Sequence, residues 1–273
     1  MIRLFFSIVL SCSISTLNAA KVDTVLIFSN SMQKEIKCVV IKPSSYKKKK
    51  SRFPTVYLLH GYGGWYSNWI IRVPELKNYA DEFEILIVCP DGDKASWYFD
   101  SPVKESMKYE THISKEIPHF IDSMYRTIAD KKHRAITGLS MGGHGALFIA
   151  WRNPGMFAAA GSMSGGVDLN ESKNKYEIVK VLGDTLSFAD NWKKYSVLNM
   201  VETKPADSLA IIIDDGVEDI FINGNRKLHQ KLLALKIPHE YIERPGKHNW
   251  DYWRNAVHFQ LLFFKKFFER NKL

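Results

Sequence analysis

Short apolar runs rich in β-branched residues recur along the chain at residues 25–28, 38–41, 55–59, 85–88, 135–137, 158–160, 209–213 and 239–242. Several are apolar at every position, the pattern of strands covered on both faces rather than of strands with one wet face. From the third run onward, helical patterns separate them. Within 107–125, Ile113, Ile117, Phe120, Ile121 and Met124 recur at three- and four-residue spacing, and within 225–235 so do Leu228, Leu232 and Leu233. Both patterns predict covering helices. Strands alternating with helices predict an α/β architecture, a mostly parallel eight-stranded sheet with helices on both faces. Residues 165–205 lack a strand signal and are rich in Asn, Asp, Lys and Ser, so they read as an excursion between sheet elements, either a lid or a surface loop. No internal repeat or second boundary is visible, and residues 21–273 are expected to form one domain.

The first twenty residues follow a different pattern. Arg3 precedes an apolar stretch over 4–17 and the small residues Ala19 and Ala20, as in a removable export signal. The stretch is too short to span a bilayer, and no transmembrane segment is expected. A rival reading takes Val9-Leu10-Ser11-Cys12 as a lipoprotein signal that leaves a lipidated Cys12, but the apolar region continues past the cysteine. Either way the expected location is periplasmic or extracellular. Cleavage leaves Cys38 and Cys89, each inside an apolar run, which predicts buried free thiols rather than a disulfide framework. The net charge of +9 is spread along the chain, and its one dense run, Lys47 to Lys50, adjoins Ser51 and Pro54 in a predicted solvated turn. Without basic and aromatic residues interleaved, no nucleic-acid partner is expected.

The chemistry centres on Gly138-Leu139-Ser140-Met141-Gly142-Gly143, which follows the run 135–137 and precedes a helix-compatible segment. A G-x-S-x-G turn between strand and helix presents its serine hydroxyl at a helix N-terminus, and it needs glycine at both flanks because a side chain there would strike backbone. The amide of Met141 then points where a tetrahedral intermediate gathers negative charge. A second donor is needed, and Leu59-His60-Gly61-Tyr62-Gly63-Gly64, directly after the third run, offers the amide of Tyr62.

A serine hydroxyl is too weakly acidic to attack a carbonyl unaided, so an imidazole oriented by a carboxylate must reach it. With the chain order serine, acid, histidine, the candidates are His229, His239, His248 and His258. His229 and His258 lie in helical patterns and His239 opens a strand. Only His248 sits in a loop after the final run, among Pro245, Gly246 and Asn249. For the acid, the run 209–213 is followed by four carboxylates, Asp214, Asp215, Glu218 and Asp219. A tight turn at Gly216 would return Asp219 toward the sheet edge, whereas Asp214 and Asp215 can be spent on the turn itself. Spacing alone leaves the choice open.

Taken together with Pro90-Asp91-Gly92, Ser96-Trp97-Tyr98, Asp100-Ser101-Pro102, Tyr109-Glu110-Thr111, Gly216-Val217-Glu218-Asp219 and Pro245 to Trp253, these motifs resemble the esterase D family of α/β-hydrolases. That family includes carbohydrate acetyl and feruloyl esterases, tributyrin-type esterases, S-formylglutathione hydrolases and mycolyltransferases. The resemblance implies the α/β-hydrolase fold, with Ser140 as nucleophile, Asp219 as acid, His248 as base and the Tyr62 and Met141 amides as oxyanion donors. It also suggests that Trp97, Tyr98 and Trp250 line the acyl or sugar pocket, and that Glu110 is a structural partner. The pair Asp214-Asp215 before Gly216 departs from the commonest pattern. No metal or organic cofactor is implied. The expected activity is hydrolysis of an ester, small or on polysaccharide, through an acyl-enzyme. The alternatives are transfer to a sugar or lipid alcohol, or a silent carbohydrate-binding protein on the same fold.

Overall fold

The structure is a computed structural model that describes residues 19–47, 50–203 and 209–271. The expected export signal, with Cys12, lies outside the described residues but for its last two positions, as do Lys48 and Lys49 of the lysine run and Pro205 at the end of the excursion. The strands are β1 (Lys21–Ser29), β2 (Lys34–Lys42), β3 (Thr55–Leu59), β4 (Leu86–Pro90), β5 (Arg134–Gly138), β6 (Ala159–Met163), β7 (Ala210–Gly216) and β8 (Glu240–Arg244). They form one eight-stranded sheet in the order β1-β2-β4-β3-β5-β6-β7-β8. β1, β2 and β4 pair antiparallel, and every later pairing is parallel. This is the α/β-hydrolase architecture.

The five main helices are α1 (Leu76–Phe83), α2 (Ile117–Met124), α3 (Met141–Arg152), α4 (Ile222–Ala234) and α5 (Trp250–Arg270). α1 and α5 cover one face of the sheet, where Leu76, Ala80, Leu261 and Phe264 meet Val56, Leu58 and Ile87. α2, α3 and α4 cover the other, where Ile117, Ile121, Phe148 and Leu228 meet Tyr57, Leu59 and Val88. Successive residues of one strand thus feed opposite cores, which is why the central strands read as unbroken apolar runs. Cys38 and Cys89 are buried and unbridged. Among the described residues no helix is long and apolar enough to cross a membrane.

Two helical patterns differ from expectation. The segment expected as one helix is broken by a wide π-turn, His112–Glu116, between Tyr109–Thr111 and α2. Pro118 has no N–H to return to the carbonyl of Ser114, and the turn there is widened. Ile113, Ile117 and Ile121 are buried as the spacing predicts, but Met124 is 64% exposed. In α4, Leu228 and Leu232 are buried while Leu233 points outward. The described part of the 165–205 excursion is helical, with a 3-10 turn at Leu169–Ser172 and short helices at Val179–Leu182, Ala189–Tyr195 and Val197–Met200. It is anchored rather than loose, because Val167, Leu169, Ile178, Leu182, Trp192 and Val197 sink into the core on the α3 side.

Phe264→Ala, which empties a fully buried site on α5, is expected to cost about 3–5 kcal/mol in urea unfolding. Leu233→Ala at an exposed position should stay within about 0.5 kcal/mol of the parent, so equal losses would contradict this division of the helix faces.

Candidate active site

Ser140 joins β5 to α3 with φ 54° and ψ −117°, a backbone state that L residues seldom occupy. Two close approaches define the turn. A Cβ on Gly138 would lie 2.6 Å from the carbonyl oxygen of Gly142, and one on Gly142 would lie 2.5 Å from that of His60. The Ser140 amide donates to the Met163 carbonyl at 2.9 Å, so the bend is also tied to β6.

The glycine-rich loop after β3 presses against this bend, since a Cβ on Gly61 would come within 3.3 Å of Ser140 Cβ. His60 organises the loop from inside. Its Nδ1 lies 2.8 Å from the Gly61 carbonyl and its Nε2 accepts from the Gly92 amide at 2.8 Å. Burial pushes the pKa of His60 down, which keeps the ring neutral and suited to that donor and acceptor pattern. Among the described residues, neither the Tyr62 amide nor the Met141 amide has an acceptor within the protein.

Asp219 and His248 arrive on loops after β7 and β8. Val217 N donates to Arg244 O at 2.9 Å and Glu218 N to Gly246 O at 3.0 Å, so the two loops are laced together. Glycine is required where they cross, because a Cβ on Gly216 would sit 2.4 Å from the Gly246 carbonyl and one on Gly246 would strike Tyr252. The result is a continuous line of contacts. His248 Nε2 lies 2.9 Å from Ser140 Oγ, and Nδ1 lies 2.8 and 3.0 Å from the two Asp219 oxygens. Phe221 and Trp253 hold the imidazole between them, at ring separations of 5.2 and 4.9 Å and nearly perpendicular.

The four carboxylates are sorted by place and partner: Asp214 and Asp215 lie within β7, paired with β8 rather than spent on the turn, and Glu218 and Asp219 lie in the loop after it. Asp214 takes Arg244 and the Tyr252 hydroxyl. Asp215 accepts from the Gly216 amide and from Asn225 Nδ2, each at 2.8 Å. Glu218 faces solvent, 3.6 Å from Lys247. Asp219 alone meets the imidazole, and its Oδ1 also accepts from the Phe221 amide at 2.8 Å. Burial, followed by the neighbouring Asp219 charge, pushes Asp215 up to about 8, so it is largely protonated at neutral pH.

The three aromatic candidates are placed unequally. Tyr98 is fully buried, and its hydroxyl donates to the His60 carbonyl at 3.0 Å, propping the glycine-rich loop from below. Trp97 is buried, edge-on to His144 and tilted against Tyr176 of the excursion. Trp250 is half-buried and stacks edgewise on Trp69 and on Trp253, the residue that flanks His248. Glu110 bonds Arg152 at 2.8 Å and Asn153 at 3.2 Å, at the far end of α3 from Ser140. Sequence reasoning missed Tyr176 and Phe221, which pack against each other beside the imidazole, because a lone aromatic in a loop carries no spacing signal. His60 stood within its motif, but only the contacts show its task. Among the described residues no group of three or more His, Cys, Asp or Glu side chains is placed to hold a metal ion.

The folded-state pKa of Asp215 is raised from 3.8, so its stabilising contribution is full below that value and is lost as pH climbs toward about 8. Asp215→Asn should therefore flatten the fall in unfolding free energy across that window relative to the parent. Urea titrations at several pH values read the slope, and parallel slopes would rule out a protonated Asp215.

The family described as "Putative esterase" matches the chain over residues 29–264. Esterase Rv1288 of Mycobacterium tuberculosis is 29% identical over 236 residues, covering 77% of this chain and 51% of that protein, so the chain spans about half the length of this relative. The acetyl esterase of Caldicellulosiruptor saccharolyticus is 26% identical over 253 residues, 84% of this chain and 92% of that protein. A solved ferulic acid esterase, 30% identical, covers 91% of this chain and 98% of its own with a TM-score of 0.78. With the match spanning most of its length and the fold agreeing, the chain belongs to this esterase family.

Proposed function

We propose that the protein is an exported serine carboxylic-ester hydrolase that acts through an acyl-enzyme on short acyl or feruloyl esters of carbohydrates. One observation carries the reading: three side chains far apart in sequence form an unbroken line from Ser140 Oγ through His248 to Asp219.

With Nδ1–H directed at Asp219, the lone pair on Nε2 faces the serine hydroxyl. Ser140 Oγ bonds to the ester carbonyl carbon while its proton passes to His248 Nε2. The carbonyl oxygen takes the electron pair and is received by the amides of Tyr62 and Met141, aided by the N-terminal dipole of α3. Collapse of this intermediate breaks the bond to the alcohol oxygen, which leaves with the proton from His248. Water then gives a proton to the same nitrogen and attacks the acyl carbon. The second intermediate collapses by breaking the bond to Ser140 Oγ, which takes the proton back from His248 as the acid leaves. Asp219 holds the imidazole in its tautomer and balances its positive charge. A largely neutral Asp215 leaves Asp219 without a second full charge beside it.

The substrate class rests on relatives named as an acetyl esterase and a ferulic acid esterase, joined to the charged and apolar leader that argues for work outside the cytoplasm. Tyr176 and Trp250, which pack on Phe221 and Trp253 beside the imidazole, are assigned to the pocket wall, with the buried Trp97 and Tyr98 as support behind it.

Ser140→Ala is expected to lower kcat on p-nitrophenyl acetate by about four to six orders of magnitude while the thermal midpoint hardly moves. Parent-like turnover in the purified variant would remove Ser140 from the reaction. A panel of p-nitrophenyl acetate, p-nitrophenyl butyrate, methyl ferulate and acetylated xylan should give its highest kcat/KM on an acetyl or feruloyl ester. Preference for butyrate over all three others would overturn the carbohydrate assignment.

A further inference from the structure

Tyr62 stands between Gly61 and Gly63, residues with the widest backbone freedom, so its amide needs a restraint from outside the loop. The backbone supplies part of it. Gly63 N donates to Lys94 O at 2.8 Å and Gly64 N to Gly61 O at 3.0 Å. The remaining handle is the Tyr62 side chain, and the excursion grips it. Its hydroxyl donates to Glu177 Oε1 at 2.9 Å, and its ring meets the edge of Tyr176 at 5.5 Å. The same Glu177 carboxylate takes Lys94 Nζ at 2.5 Å and Lys180 Nζ at 2.8 Å.

The gripping segment is itself strained. Tyr176 and Glu177 are consecutive left-handed residues, with φ 53° and 55°, and neither is glycine. Such conformations persist where the surroundings over-determine them. Here the surroundings are the three donors on Glu177 and the Trp97 indole, which donates to the Tyr176 carbonyl at 3.3 Å. The donors also hold the Glu177 carboxyl down at about 2, with Lys180 first, then Lys94 and Tyr62, so the grip is not released in mildly acidic solution.

We propose that Glu177 is a positioning residue for the esterase reaction, fixing the Tyr62 amide toward the oxyanion through the Tyr62 hydroxyl. The inference rests on the assignment of that amide as an oxyanion donor. An amide held out of line loses contact with the transition state but not with the ground-state ester, so the effect falls on kcat.

The test uses the purified full chain and its Glu177→Ala, Glu177→Gln, Tyr62→Phe and Glu177→Ala/Tyr62→Phe variants. Each is assayed on p-nitrophenyl acetate and for inhibition by phenylboronic acid, whose serine adduct places an oxygen at the oxyanion position. Glu177→Ala and Tyr62→Phe should each lower kcat about tenfold with KM within about twofold, weakening the boronate in parallel. Glu177→Gln keeps an acceptor for the hydroxyl and should recover most of the loss. The double variant should be no worse than either single one, because both break one link. Parent kcat and boronate affinity in Glu177→Ala, or additive losses in the double variant, would overturn the proposal. If Glu177→Ala does not fold, Tyr62→Phe decides alone, since it removes one hydroxyl and leaves the amide. Ser140→Ala separates the two levels: activity surviving in it sinks the site assignment, whereas an inactive Ser140→Ala beside unimpaired Glu177 and Tyr62 variants sinks only the role of Glu177.

Discussion

The left-handed bend at Ser140 costs on the order of 1–3 kcal/mol by itself, and the neighbouring structure is arranged to hold it. β5 and β6 fix its entry, the start of α3 fixes its exit, and the carbonyl of His60 comes so close to Gly142 that no side chain fits between them. That approach brings the loop after β3 against the bend. From one strained residue follow the exposure of the hydroxyl, the unused amide at the head of α3 and the placement of the glycine-rich loop.

Electrostatics then divide the labour among groups that look alike. Four carboxylates lie within six residues at the end of β7 and in the loop after it, and their fates differ by environment: a guanidinium and a phenol for Asp214, burial beside an amide for Asp215, solvent for Glu218, an imidazole for Asp219. Burying several negative charges side by side is unfavourable unless each is paired or neutralised. Pairing Asp214 and protonating Asp215 meet that condition while leaving a full charge where the imidazole lies.

Much of this was legible in the sequence, for physical reasons. The central strands are covered on both faces, so their uninterrupted apolar runs stand out. Ser140 announced itself through glycines that the bend cannot do without, and His248 through a Pro and Gly loop after the last strand. Asp219 was less legible, since spacing offers four carboxylates and only the lacing of two loops shows which one meets His248. The π-turn ahead of α2 was hidden because one missing N–H leaves the periodic pattern unchanged, and Met124, the last residue of α2, points outward although its spacing matches the buried face. Tyr98 reads as a pocket-lining or core aromatic, and only its hydroxyl bond to the His60 carbonyl shows that it is a buried prop. Glu177 was invisible, being one glutamate in a polar excursion whose contact with Tyr62 spans 115 positions.

The lacing between the loops after β7 and β8 places the acid and the base on the last two strands, and β8 forms the sheet's outer edge with none of its residues fully buried. Edge strands are the ones that fray first. Slippage there by a single position would turn every β8 side chain to the opposite face and separate the imidazole from its carboxylate, with the serine bend deep in the sheet untouched. Chemical competence is thereby hung on a thinly covered margin of an otherwise well-buried scaffold.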